Sequence, residues 1–227
     1  MGRIPEIGAM DDPGEVDSYD LLSRKYLGFV EKCFVVRAIS LLKKTNFQVN
    51  PLVLDIGTGP ANIPIQFARK LSGTRIIAVD LSPNMLKKAR SNLKKAGVDN
   101  RIILICADAK RLPFKDESFQ LVICHSTIHH LSDPMPAVRE IIRVINRGSP
   151  YIIRDLRRPP SLILELYVQI FGLPYNRLMK KMYRESLKAG YTYKEMKELT
   201  NRIKGSIIRV RRFFITHVGI EGVRNKN

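Results

Sequence analysis

The stretch Val53-Leu54-Asp55-Ile56-Gly57-Thr58-Gly59-Pro60-Ala61-Asn62 decides the reading of this 227-residue chain. A short apolar run ends in an acid. Two glycines, two residues apart, then turn the chain toward Ile63, Phe67 and Leu71, which repeat at helical spacing. Glycine reaches backbone angles closed to other residues and lets a ligand approach the main chain closely. The helix that follows offers unpaired N–H groups at its start. Such a strand, turn and helix form a corner suited to a nucleotide-like ligand. The dinucleotide fingerprint G-x-G-x-x-G would need glycine where Asn62 stands, and no P-loop lysine follows. Asp55 suits instead a ligand with a cationic amino group.

Working outward, four more apolar runs (75–79, 102–106, 121–124 and 151–154) read as strands buried on both faces. The gaps between them leave room for helices, which favours a parallel sheet. Ser82-Pro83 and Asp133-Pro134 mark helix starts, and Gly97 and Gly148 mark stops. Residues 18–44 carry a helical pattern broken near Gly28, and 1–16 read as a loose lead-in. Beyond the fifth run, 161–171 and 176–189 read as helices, and Thr192 with Glu195 forms a capping box. Segments 206–212 and 214–219 read as closing antiparallel strands. The expectation is one domain over 1–227, with a helical lid at 18–44 and a ligand-binding core at 51–156. Acceptor-side helices and closing strands would fill 157–227.

Hydrophobic residues make up 44% of the chain and charged residues 26%, which excludes a disordered chain. Three scattered cysteines (Cys33, Cys106, Cys124) exclude a disulfide framework and a C-x-x-C centre. No apolar run is long enough to span a membrane, and 1–14 lacks a secretory pattern, so a cytoplasmic protein is expected. The net charge is +18, and residues 151–227 hold 17 basic against 6 acidic side chains. That excess suits an anionic substrate, a polyanion or an anionic surface, or else a solvated lysine-rich face.

Two further acids echo Asp55. Asp80 ends the second run, where a carboxylate can accept both hydroxyls of a ribose diol. Asp108 follows the third, where it could accept an adenine amine. Each alone could cap a helix, but three acids on three successive strand ends fall where open α/β sheets bind ligands.

In these motifs the chain resembles the class I S-adenosylmethionine-dependent methyltransferases, including the quinone-biosynthesis members. Asp55-Ile56-Gly57-Thr58-Gly59, Val79-Asp80-Leu81-Ser82-Pro83-Asn84-Met85-Leu86, Ala107-Asp108-Ala109 and Ile123-Cys124-His125-Ser126-Thr127-Ile128-His129-His130-Leu131 carry the likeness. The resemblance implies a three-layer α-β-α sandwich, its seven-stranded, mostly parallel Rossmann-like sheet having an antiparallel last strand. It implies S-adenosylmethionine as cofactor and S-adenosylhomocysteine as product. Gly57, Thr58 and Gly59 would pass under the methionine moiety, and Asp55 would position its amino group. Asp80 would hold the ribose, Leu81 would flank the adenine, and Asp108 with Ala109 would read its amine edge. His125 and Ser126 would face the methionine end. Three positions depart from the pattern: Ala61 stands where a third glycine is common, Gln120 where Asp is usual, and His125 where Asn or a similar residue is usual.

His125 and His129 have helical metal-ligand spacing, but the glutamate of H-E-x-x-H is missing, so no metal is expected. His129 or His130 could act as a general base. Arg154 and Arg157 could grip a carboxylate or phosphate, and Asp155 could accept a proton or orient a nucleophile. The alternative is an Arg154–Asp155 ion pair with Arg157 solvated. Tyr19 and Tyr26 are lid candidates. The expected activity is in-line methyl transfer to a small-molecule acceptor, anionic or neutral, by a monomer or homodimer. Two rivals stand beside it: an RNA methyltransferase using the basic C-terminal third, and a non-catalytic cofactor-binding protein. The N/D-P-P-Y/F motif of base-amine methylation is absent after the fourth run.

Overall fold

The computed structural model describes residues 2–6, 8, 10–45 and 50–226. Five apolar runs form parallel strands: β1 (Leu52–Ile56), β2 (Arg75–Asp80), β3 (Ile102–Cys106), β4 (Leu121–His125) and β5 (Pro150–Leu156). β6 (Ser206–Phe213) and β7 (His217–Arg224) complete a sheet ordered β3-β2-β1-β4-β5-β7-β6. β7, last in the chain, runs against both its neighbours.

Helices α1 (Pro13–Leu22) and α2 (Gly28–Leu42) precede the sheet, joined by a π-helical turn at Ser23–Leu27. α3 (Asn62–Lys70) and α4 (Pro83–Ala96) share the α2 face, where Phe34, Ala38, Phe67, Ala89 and Leu93 pack on Val53, Ile76 and Ile123. α5 (Met135–Val144) and, after α6 (Leu164–Phe171) and α7 (Arg177–Ala189), α8 (Tyr193–Asn201) cover the other face. There Val138, Ile141, Met196 and Leu199 pack on Leu54, Val122 and Ile153. α6 and α7 form a small cluster of their own around Leu164, Val168 and Leu187.

The expected punctuation operates locally. Ser82 accepts from the Met85 N–H (3.0 Å), and Thr192 and Glu195 make the reciprocal capping box. Some boundaries moved. The first helix starts at Pro13, because Asp12 accepts from the Glu15 N–H. The lead-in is also fastened: Arg3 donates to the Leu131 and Ser132 carbonyls (2.6 and 2.7 Å), and Asp11 accepts from the Asn84 N–H (3.1 Å). Met1, Ile7 and Ala9 of that lead-in lie outside the described residues. The last strand starts at His217, after a turn in which Phe214 takes a left-handed φ of 54°. Among the described residues no helix is long and apolar enough to cross a membrane.

Strand order reverses between β1 and β4, so their carboxyl ends diverge and open a crevice where ligands of doubly wound sheets bind.

Candidate active site

At that crevice lies a cavity of about 680 Å³, the size of a small-molecule site. The glycine loop forms its floor. Gly57 and Gly59 have φ of 69° and 53°, and the N–H groups of Gly57 and Thr58 both bond to the Val79 carbonyl (2.9 Å). A side chain at Gly57 would place its Cβ 2.2 Å from Thr127 Oγ1, so only glycine fits. Ala61 keeps the left-handed geometry of a glycine (φ 66°) despite its methyl group.

Asp55 is buried beneath this loop, behind Ile56 and Gly57 and off the cavity lining, and its Oδ2 has no hydrogen-bond partner. Burial pushes its pKa up to about 7, and the nearby Asp80 and Glu31 carboxylates push the same way. An orphaned buried acceptor beside a glycine loop fits a cationic amino group. Asp80 accepts from the N–H groups of Gly59 (2.8 Å) and Ser82 (2.9 Å). A carboxylate has about four lone-pair sites, so two remain for a diol. Leu81, Ala107, Asp108 and Ala109 continue the rim, with Asp108 accepting from the Lys110 N–H (2.9 Å). This donor and acceptor set, with its cradle, fits S-adenosylmethionine.

The opposite wall carries a titratable pair. His129 is buried at its base; Asp155 accepts from its backbone N–H (3.0 Å) and lies 2.7 Å from its Nδ1. That leaves Nε2 3.6 Å from the Glu6 carboxylate. Burial alone would lower the His129 pKa, but Asp155 and Glu6 outweigh it and raise it. Burial would likewise raise Asp155, but His129 holds it below the usual carboxylate range. His130 also lines the cavity, where burial and the charge of His129 push it down to about 3. Glu6, His129 and His130 place ligand atoms within 4.8 Å of one another, a set a divalent cation could use. The raised pKa of His129 favours its protonated ring and so proton handling over ligation. Sequence spacing pointed to His125 and His129 instead, a pair that the strand end separates.

Four expectations about this site are corrected. Arg154 cannot grip a substrate: it is 1% exposed and does not line the cavity. Its guanidinium donates to the Val30 carbonyl, meets His125 Nε2 (2.7 Å each) and stacks on Phe34, where burial pushes its pKa down to about 9. It does not pair with Asp155 either, because alternation along β5 sends the two side chains to opposite faces. His125 turns toward Arg154, away from the cavity, and burial lowers its pKa well below the ordinary value. Arg157 lies outside this cavity and lines a separate depression. Thr58 is buried off the lining, with its Oγ1 unpartnered. Ser126, by contrast, reaches the cavity with a strained φ of 52°. Tyr19 covers Gly59, and Tyr26 packs on Tyr175 with ring centroids 5.4 Å apart.

The rest of the wall escaped the sequence reading. Gly8 and Met10 come from the lead-in, Phe171, Tyr175 and Tyr183 from the α6–α7 region, and Phe214 from the β6–β7 turn. Among the described residues, Lys110 is the one lysine or arginine on the lining. Tyr175 falls in the connection between two expected helices and Tyr183 within the second, and no local motif marks either.

Residues 54–153 match the family model described as a methyltransferase domain. The chain is 30% identical over 128 residues to an uncharacterized methyltransferase, YcgJ, of Bacillus subtilis, covering 56% of this chain and 49% of that one. It is 26% identical over 165 residues to the ubiquinone/menaquinone biosynthesis C-methyltransferase UbiE of Pseudomonas aeruginosa, covering 72% and 63%. The match thus spans 49% and 63% of those relatives' length, less than two thirds of either. Among solved structures, the plantazolicin methyltransferase BamL, in complex with a triazolic desmethylPZN analog and S-adenosylhomocysteine, superposes with a TM-score of 0.74 at 17% identity, covering 94% and 91%. Over residues 54–153 the chain is similar to methyltransferase domains, and its fold is that of S-adenosylmethionine-dependent methyltransferases.

Proposed function

We propose that this chain transfers the methyl group of S-adenosylmethionine to a small, largely apolar acceptor that gives up a proton as it reacts. The observation that carries the reading is the His129–Asp155 pair on the wall opposite the glycine loop, across an aromatic cavity. When bound, the cofactor supplies an electrophilic sulfonium methyl, so the protein's own work is alignment and exclusion of water. Asp55 would face the amino group, Asp80 the ribose, Leu81 the ring, and Asp108 with Ala109 the exocyclic amine. The backbone of Gly57, Thr58 and Gly59 would line the methionine, with Ser126 beyond it. Asp155 holds the His129 ring with Nδ1 toward itself, which leaves Nε2 to take the acceptor's proton. Tyr19, Tyr26 and Met10 close the mouth against water.

The acceptor reading narrows from anionic to apolar, because Arg154 and Arg157 are turned elsewhere and, among the described residues, Lys110 is the one lysine or arginine on the lining. The same fact weighs against RNA, whose backbone demands rows of cations. Incubation of the protein with methyl-labelled cofactor and separated metabolite and RNA fractions tests the proposal. Label should enter an organic-extractable small molecule. Label in RNA, or cofactor binding without turnover on any fraction, would replace this reading with one of its two rivals.

A further inference from the structure

The excess positive charge of the C-terminal third has a focus outside the methyl-transfer cavity. At the end of β5 the strand alternation carries on one residue past it: Leu156 faces the first cavity, and Arg157 faces a second depression of about 510 Å³. Arg157, Arg158, Lys188 and Arg212 line that depression, and among the described residues no carboxylate does. The four cations are not equivalent. Arg158 is committed, donating to the Gly190 carbonyl (2.8 Å) and pairing with Glu195. Arg212 holds its guanidinium carbon 4.7 Å from the centre of the Tyr193 ring and makes no side-chain hydrogen bond or ion pair among the described residues. Arg157 makes one long contact, from Nη2 to the Tyr167 hydroxyl (3.4 Å), and its buried Nε has no partner.

A buried guanidinium N–H without an acceptor is unfavourable, so Arg157 favours an oxygen ligand at this position. The wall that presents it is rigid. The Arg157 N–H bonds to Thr216 (2.8 Å) and the Arg158 N–H to Tyr191 (3.1 Å), and Pro159-Pro160 fixes the exit. Planar guanidinium edges converging with an ammonium in a concave, acid-free site match the oxygens of a phosphoryl group.

We propose that this depression binds the phosphoryl group of a small phosphate or pyrophosphate compound, independently of the methyl acceptor. Calorimetric titration of the whole chain with inorganic pyrophosphate at fixed ionic strength tests it. Arg157→Gln and Arg212→Gln are compared with Arg209→Gln, an exposed β6 arginine outside the depression. Pyrophosphate affinity should fall at least tenfold in each of the first two variants and stay unchanged in the third. Binding of S-adenosylhomocysteine should be equal in all, which confirms folding. The proposal is overturned by absence of pyrophosphate binding at millimolar concentration, or by an equal loss in Arg209→Gln, which would mean diffuse charge. Single-stranded RNA binding that pyrophosphate fails to displace would also overturn it, because the basic face would then serve a polymer.

Discussion

The two walls of the cavity are built in opposite ways. The cofactor wall comes from the ends of three neighbouring strands and the turns that follow them, so Asp55, Asp80 and Asp108 arrive together because β1, β2 and β3 are paired in register. The acceptor wall is assembled from parts distant along the chain: His129, Tyr175, Tyr183 and Phe214 on the lining, with Glu6 and Asp155 held against His129. Local geometry dictates the first wall, and tertiary packing alone dictates the second. The cofactor chemistry can therefore sit on a wall fixed by sheet register, independently of the packing that shapes the other wall.

The sharpest way to break this division is Asp155→Asn. The amide favours the wrong ring tautomer of His129 and removes the charge that raises its pKa. Methyl transfer should fall by roughly 10²–10⁴-fold, the usual contribution of a general base. Binding of S-adenosylhomocysteine should not change, because Asp155 does not line the cavity. The wild-type rate should rise with pH through a pKa above the ordinary histidine value, and the variant's residual rate should rise at lower pH. Stability runs the other way. A raised histidine pKa stabilises fully below the unfolded value of 6.5 and loses that contribution as pH climbs through the folded one. A parallel loss of cofactor affinity in the variant would show that the walls are not separable.

Asp80→Ala is the complementary cut. The carboxylate anchors the Gly59 and Ser82 N–H groups and has lone pairs left for a diol. Loss of charge-assisted hydrogen bonds costs about 1.5–3 kcal/mol, so S-adenosylhomocysteine should bind roughly 10- to 150-fold more weakly by calorimetry. Unchanged affinity would remove the ribose from this strand end.

The same division explains what the sequence made legible. Strand ends followed by Asp-x-Gly-x-Gly or by Ser-Pro announce themselves within ten residues, because glycine angles and helix caps are local requirements. Arg154 and Arg157 were misread because charge was visible but facing was not: β5 alternation turned one inward under α2 and the other into a second depression. His129 and Asp155 were each visible, but their 2.7 Å contact depends on β4 and β5 lying side by side. Glu6 carries no signal at all, since only the folded lead-in brings it to His129.

The smallest expected effect addresses Asp55. Its pKa of about 7 belongs to a buried carboxyl with an unpaired oxygen. A cationic amino group placed against it would favour the ionised form and drive the pKa back down. Binding S-adenosylhomocysteine between pH 6 and 7 should then release a fraction of one proton. Calorimetry in two buffers of different ionisation enthalpy at one pH reads that fraction, which should disappear in Asp55→Asn. The sign also bears on the free protein. A raised carboxyl pKa gives stability that is whole below the unfolded value of 3.8 and declines as pH rises toward 7, so ligand-free protein should melt higher at pH 5 than at pH 8, at least through Asp55 and Glu31, both near 7. Added ligand should flatten the Asp55 share of that slope. Equal heats in both buffers would mean that the amino group lies elsewhere, and that the orphaned oxygen under the glycine loop serves the fold alone.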